Sequence, residues 1–171
     1  MNWKELLATE ITSTYAVTDA LMGRVDPDRL DWAPPMGNNW MTTGQLLRHL
    51  TDACGASMRG FATGDWGMPL DLEMAPDEML PPAEELPAIE SVAEARRLLA
   101  EDKKVAEATL AECSEERLAN EMCAAPWNPT PTALGYQLLL MVWHLAQHKG
   151  QLYYYLKLQG EPVDTGDLWG G

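Results

Sequence analysis

Apolar residues recur along this chain at three- and four-residue intervals, and the two-residue alternation of a half-buried strand is scarce. Leu6, Leu7, Ile11, Thr14, Tyr15, Thr18, Leu21 and Met22 form one such stripe. They predict a helix over 3–24, closed by Gly23 and the turn Asp26-Pro27-Asp28. A second helix is predicted over 43–61, with Thr42 as N-cap, Gln45 as its capping-box partner, and Leu46, Leu50, Ala53, Ser57 and Phe61 facing inward. Its small residues Ala53, Gly55, Ala56 and Ser57 let a neighbouring helix approach closely. A third helix runs over 91–112 from the capping box Ser91-Val92-Ala93-Glu94. The fourth runs over 131–159, capped by Thr130 or Thr132, with Pro131 in its first turn and Gly160 as its stop.

The intervening segments read differently. Residues 60–90 hold five prolines and eight acids, and no Lys or Arg lies between Arg59 and Arg96. That is a long solvated connection. Residues 123–131 read as a proline-punctuated loop. Four long helices without a convincing sheet predict an all-α four-helix bundle forming a single domain over 1–171. The long crossover, 62–90, lets helices two and three run parallel.

Charge narrows the partners. The 171 residues carry 26 acids against 12 bases, a net charge of −14, which repels phosphate backbones and anionic lipid surfaces. No nucleic-acid and no membrane partner is expected. Cys54, Cys113 and Cys123 are odd in number and form no C-x-x-C, which suits a reducing compartment. Residues 1–6 carry no apolar run, and the longest one, Leu134 to Ala146, is interrupted by Gln137 and His144. A cytoplasmic protein without a secretory signal is the expectation.

The chemistry concentrates in three histidines. His144 and His148 form H-x-x-x-H, which places both imidazoles on one helix face a turn apart, a spacing that suits two metal ligands. His49 follows the inward Leu46 by three residues, so bringing helix two beside helix four gathers three neutral nitrogens. The residues alone leave two readings open: a metal site, or hydrogen-bonded boundary histidines. Gln45, Asp52 and Gln151 lie on the histidine faces. Each either bonds an imidazole or serves as a cap, a solvated charge or a surface group, respectively. Cys54 lies about 140° around the helix from His49 and reads as a small buried hydrophobe. Tyr153, Tyr154 and Tyr155 read as packing or interface residues. Trp40, Trp127 and Trp169 fall in loops or tails, where they line either a pocket mouth or an interface. No phosphate-binding loop, nucleophile elbow or H-E-x-x-H occurs, and Asp71-Leu72-Glu73 lacks the spacing of a calcium loop.

The runs Asn39-Trp40-Met41-Thr42-Thr43-Gly44-Gln45-Leu46-Leu47-Arg48-His49-Leu50 and His144-Leu145-Ala146-Gln147-His148-Lys149-Gly150-Gln151, with Asp31-Trp32-Ala33-Pro34, resemble the DinB superfamily over nearly the whole chain. The resemblance implies a bundle in up-down-down-up order, often a homodimer. It implies a divalent metal, zinc or nickel, on His49, His144 and His148. Characterised members include thiol-dependent S-transferases and isomerases, so the implied function is thiol-dependent transfer on a small-molecule substrate, with a low-molecular-weight thiol as co-reactant. A metal hydrolase, or a non-catalytic metal-binding, stress-associated protein, is the alternative. Catalytic residues beyond the ligands are not identified.

Overall fold

The computed structural model describes residues 2–67 and 82–170, and within them the chain is mostly helical. Helix α1 (Trp3–Met22) begins at Asn2, whose side chain accepts from Glu5 N in a reciprocal capping box. Glu115 reinforces this start from a distance, accepting from Trp3 N at 3.0 Å and Lys4 N at 2.7 Å. Helix α2 (Thr43–Leu50) begins at the predicted box of Thr42 and Gln45, and both of its bonds are present. Helix α3 (Gly55–Thr63) ends on Gly64 in the left-handed region. Helix α4 (Val92–Glu112) starts at Ser91, and α5 (Glu115–Asn120) at Ser114. Helix α6 (Leu134–Gln159) stops on Gly160 at φ 90°. A short α7 (Thr165–Trp169) follows, capped by Asp164.

Helix α1 packs on α4 and α6, α3 packs on the same two helices, and α2 packs on α6. The shared interior is built from Leu7, Ile11, Leu21, Leu46, Leu50, Leu99, Leu138, Leu145, Leu152 and Leu156, all essentially inaccessible to water. None of the helices among the described residues is long and apolar enough to cross a membrane.

Two expectations need correction. The helix predicted over 43–61 is interrupted at 51–54, giving α2 and α3. The cause lies on another helix. Asp102 of α4, 6 % exposed, accepts from Gly55 N (2.9 Å) and Ala56 N (2.8 Å), so a buried carboxylate caps a helix start inside what reads as continuous periodicity. Its third donor is the Tyr15 hydroxyl at 2.6 Å. Burial pushes the Asp102 carboxyl upward, and these donors pull it back. Gly55 is what lets α4 come so near, since a Cβ there would lie 2.1 Å from the Asp102 carbonyl oxygen. The close approach expected from the small residues after His49 is present at Gly55.

The second correction concerns 123–131. It is not a loop but most of an antiparallel hairpin, β1 (Met122–Ala125) with β2 (Asn128–Ala133), bulged between Cys123 and Ala125. Thr130, Pro131 and Thr132 therefore lie in a strand, and α6 starts three residues later than predicted, at Leu134, with Ala133 as an N-cap that makes no side-chain bond. Pro129 and Pro131 are tolerated because β2 pairs on one side only. Just under half of the predicted crossover over 62–90, residues 68–81, lies outside the described residues, and the Asp71-Leu72-Glu73 segment lies wholly there; Ala62 and Thr63 still belong to α3.

Asp102→Ala removes the cap of α3 and strands the Tyr15 hydroxyl. Urea unfolding is expected to show a loss of about 2–4 kcal/mol, the sum of a lost cap and an unsatisfied buried group. Asp102→Asn, which keeps an acceptor, should lose less. Equal losses would contradict the capping role.

Candidate metal centre

The last turn of α2 carries His49, and the middle of α6 carries His144 and His148. The contact between these helices brings the three rings together, with centroids 5.0 Å (His49–His144), 4.4 Å (His49–His148) and 4.8 Å (His144–His148) apart. One nitrogen from each lies within 4.8 Å of the other two. All three are half-buried. The grouping read from the sequence is thus present in space.

Outer partners fix two of the rings. His144 Nδ1 lies 3.0 Å from the Ala53 carbonyl oxygen, in the turn between α2 and α3. A carbonyl only accepts, so His144 carries its proton on Nδ1 and leaves Nε2 bare. That bare Nε2 faces His49 Nε2 at 3.1 Å. Two lone pairs at that distance repel unless a proton or a cation sits between them. His148 Nδ1 lies 2.9 Å from Gln151 Oε1. The donor set is three neutral imidazoles with outward hydrogen bonds on two of them, which suits zinc, nickel or iron chemistry. Structural zinc sites are closed by four protein ligands, whereas three leave a position for another molecule.

Electrostatics keep the cluster uncharged. Burial, then the neighbouring His148, His144 and Arg48, lowers His49 to about 4. His144 is lowered by burial and by His148, against the pull of the Ala53 bond. His148 is lowered by burial, opposed by Gln151. Neutral imidazoles are the form a metal binds.

A cleft of about 370 Å³ opens beside the cluster, lined by His49, Asp52, Ala53, Ser57, Trp127, Met141 and His144. Trp127 belongs to the hairpin turn and meets Trp66 (5.6 Å) and Phe61 (6.2 Å) edge to face. Trp66 in turn lies over Gly60, where a Cβ would come within 2.3 Å of its ring. The unforeseen hairpin therefore supplies a wall of the cleft. Trp40 stands instead against Tyr155, and Trp169 against Lys149, so of the three loop or tail tryptophans Trp127 lines the pocket.

The other sequence candidates separate. Gln151 bonds an imidazole. Asp52 pairs with Arg48 at 2.7 Å while lining the cleft. Gln45 completes the α2 cap and donates to the Leu86 carbonyl at 2.8 Å. Cys54 is fully buried against Met58, its thiol pushed up to about 12 by burial, which makes it inert as a nucleophile. Lys149 turns away from the cluster and donates to the Leu168 carbonyl at 2.9 Å. Sequence reasoning missed the Ala53 carbonyl, because the break that frees it is imposed by a residue far along the chain.

A family model described as the DinB superfamily matches residues 10–152. The chain is also similar to the crystal structure of a DinB-like protein from Bacillus subtilis. That likeness has a TM-score of 0.66 at 17 % identity over 92 % of this chain and 94 % of that one, and it concerns the fold. No curated protein matches.

The lowered His49 sets a pH dependence. The unfolded chain takes up this proton near the ordinary histidine value of about 6.5, and the folded one only near 4. Between those values the unfolded state binds more protons, so stability is expected to fall as pH drops through this window. Urea midpoints of the metal-free protein at pH 7 and 5.5 should show a smaller decrease for His49→Gln than for wild type. An equal decrease would assign the effect elsewhere.

Proposed function

Because the chain belongs to the DinB superfamily, we propose that His49, His144 and His148 hold one divalent cation, zinc or nickel, and that the protein uses it for thiol-dependent transfer onto a small molecule. One observation carries this reading. The nitrogens of three neutral imidazoles converge at the head of a cleft, and His144 has been forced to leave its inner nitrogen bare. A divalent cation held there supplies the Lewis acidity that makes a thiol nucleophilic near neutral pH. The chain's own residues do the rest. His49 and His144 line the cleft, so a thiol entering it approaches the centre directly. Met141 and Trp127 offer apolar walls to the body of an electrophile, and Ser57 offers a hydroxyl.

Hydrolysis is the second reading, favoured by Asp52. Its half-exposed carboxylate pairs with Arg48 at 2.7 Å and lines the same cleft, where a base acting on water would stand. A metal-binding, stress-associated role without turnover uses the same ligands.

The reading extends to architecture and assembly. It takes the helices as an up-down-down-up four-helix bundle of one domain, in a cytoplasmic homodimer. Tyr136, Trp143, Tyr154 and Leu158 expose a broken apolar stripe along α6, which supports self-association.

Elemental analysis of protein loaded with zinc or nickel should give one ion per chain for wild type. The single variants His49→Ala, His144→Ala and His148→Ala should each lose most of it while keeping a helical circular dichroism spectrum. Full stoichiometry in all three would remove these residues as ligands. Loaded wild type, screened with low-molecular-weight thiols against small electrophiles, should consume thiol. Turnover of ester or amide substrates without any thiol would favour the hydrolase. Light scattering at twice the 19.0 kDa chain mass supports the dimer, and the monomer mass refutes it.

A further inference from the structure

Behind His148 runs a hydrogen-bond chain. Its Nδ1 meets Gln151 Oε1 at 2.9 Å, Gln151 Nε2 donates to the Tyr155 hydroxyl at 3.3 Å, and that hydroxyl donates to the Met41 carbonyl oxygen at 2.9 Å. Met41 directly precedes the capping residue of α2, the helix that carries His49. Tyr155 is 2 % exposed, and Trp32 (5.3 Å) and Trp40 (6.3 Å) meet its ring edge to face, so its hydroxyl is held in place.

The direction of every bond follows from the last atom. A carbonyl oxygen has no proton, so the tyrosine must donate its single one to Met41. The phenolic oxygen is then left only as an acceptor. The Gln151 amide must therefore turn its NH2 toward Tyr155 and its oxygen toward His148. An amide oxygen only accepts, so the His148 proton is placed on Nδ1, and the Nε2 lone pair is free to face the cluster.

We propose that Tyr155, acting through Gln151, is a positioning residue that sets the tautomer of His148. It does for this ring, through two side chains, what the Ala53 carbonyl does directly for His144. The importance of that tautomer rests on the metal reading above, but the tautomer itself does not.

The test is imidazole 15N–1H correlation NMR of the metal-free protein at pH 7, where burial keeps the rings neutral, with zinc titration as a second readout. Wild type should show His148 with Nδ1 protonated and Nε2 bare. Tyr155→Phe frees the amide to rotate, and a substantial Nε2-protonated population of His148 should appear, with zinc bound about 10–100-fold more weakly. Gln151→Met, which leaves the Tyr155–Met41 bond intact, should do the same and serves if Tyr155→Phe does not fold. Gln151→Glu in the Tyr155→Phe background should restore the Nδ1 tautomer, because a carboxylate accepts whichever way it turns. Looser packing alone would not be rescued in this way. If His148 remains fully Nδ1-protonated in Tyr155→Phe or Gln151→Met, or if glutamate fails to rescue, the proposal is overturned. If the tautomer shifts as expected but wild type takes up no zinc, the relay stands and the metal reading fails.

Discussion

The buried carboxylate of Asp102 is the constraint on which the rest depends. It reaches out of α4 and gathers two amides at the start of α3 and the hydroxyl of Tyr15 from α1, so three helices meet at one group. A carboxylate this deep is costly unless each lone pair is used, and here the beginning of a helix and a tyrosine supply the donors. Placing the α3 start there obliges the chain to turn at 51–54. That turn presents the Ala53 carbonyl to His144. The same break ends α2 one residue after His49. The geometry of the histidine cluster is thus a consequence of helix packing on its far side.

How much of this was readable from the chain depends on how local each cause is. Thr42 with Gln45, Ser91 and Gly160 mark helix ends because cap and helix are neighbours, and all three stand where expected. The H-x-x-x-H spacing is equally local, and His49 joined it through the inward stripe of its own helix. The interruption after Leu50 is different. Its cause sits 47 residues away from Gly55, and nothing at 51–54 itself, with neither proline nor an Asn-Gly turn, announces it. The hairpin escaped because Pro129 and Pro131 read as loop punctuation, although a strand paired on one side tolerates them. Gln151 was visible as a neighbour of His148. Tyr155, seven residues on from His148 and on the same face, read only as a packing or interface residue, because its role is defined by Met41, 114 residues away in sequence.

Helix, turn and hairpin contribute unequal qualities to the site. The rings sit on helices that bury leucines all along their length, so their backbones are held firmly. The opposite wall hangs from a two-stranded ribbon and from aromatic stacking of Trp127 on Trp66 and Phe61. Edge-to-face aromatic pairs each contribute about 0.5–1.5 kcal/mol beyond area burial, which ties the hairpin turn to α3 and the segment after it.

The Ala53 and Met41 carbonyls, which terminate the hydrogen bonds behind His144 and His148, belong to the main chain. Amino-acid replacement cannot delete a peptide oxygen. The side chains at positions 41 and 53 take no part in these two bonds, so the orientation of the inner lone pairs is set by the backbone path. Two of the supports that prepare these imidazoles leave no mark in residue identity, and a search confined to recurring letters would pass over them.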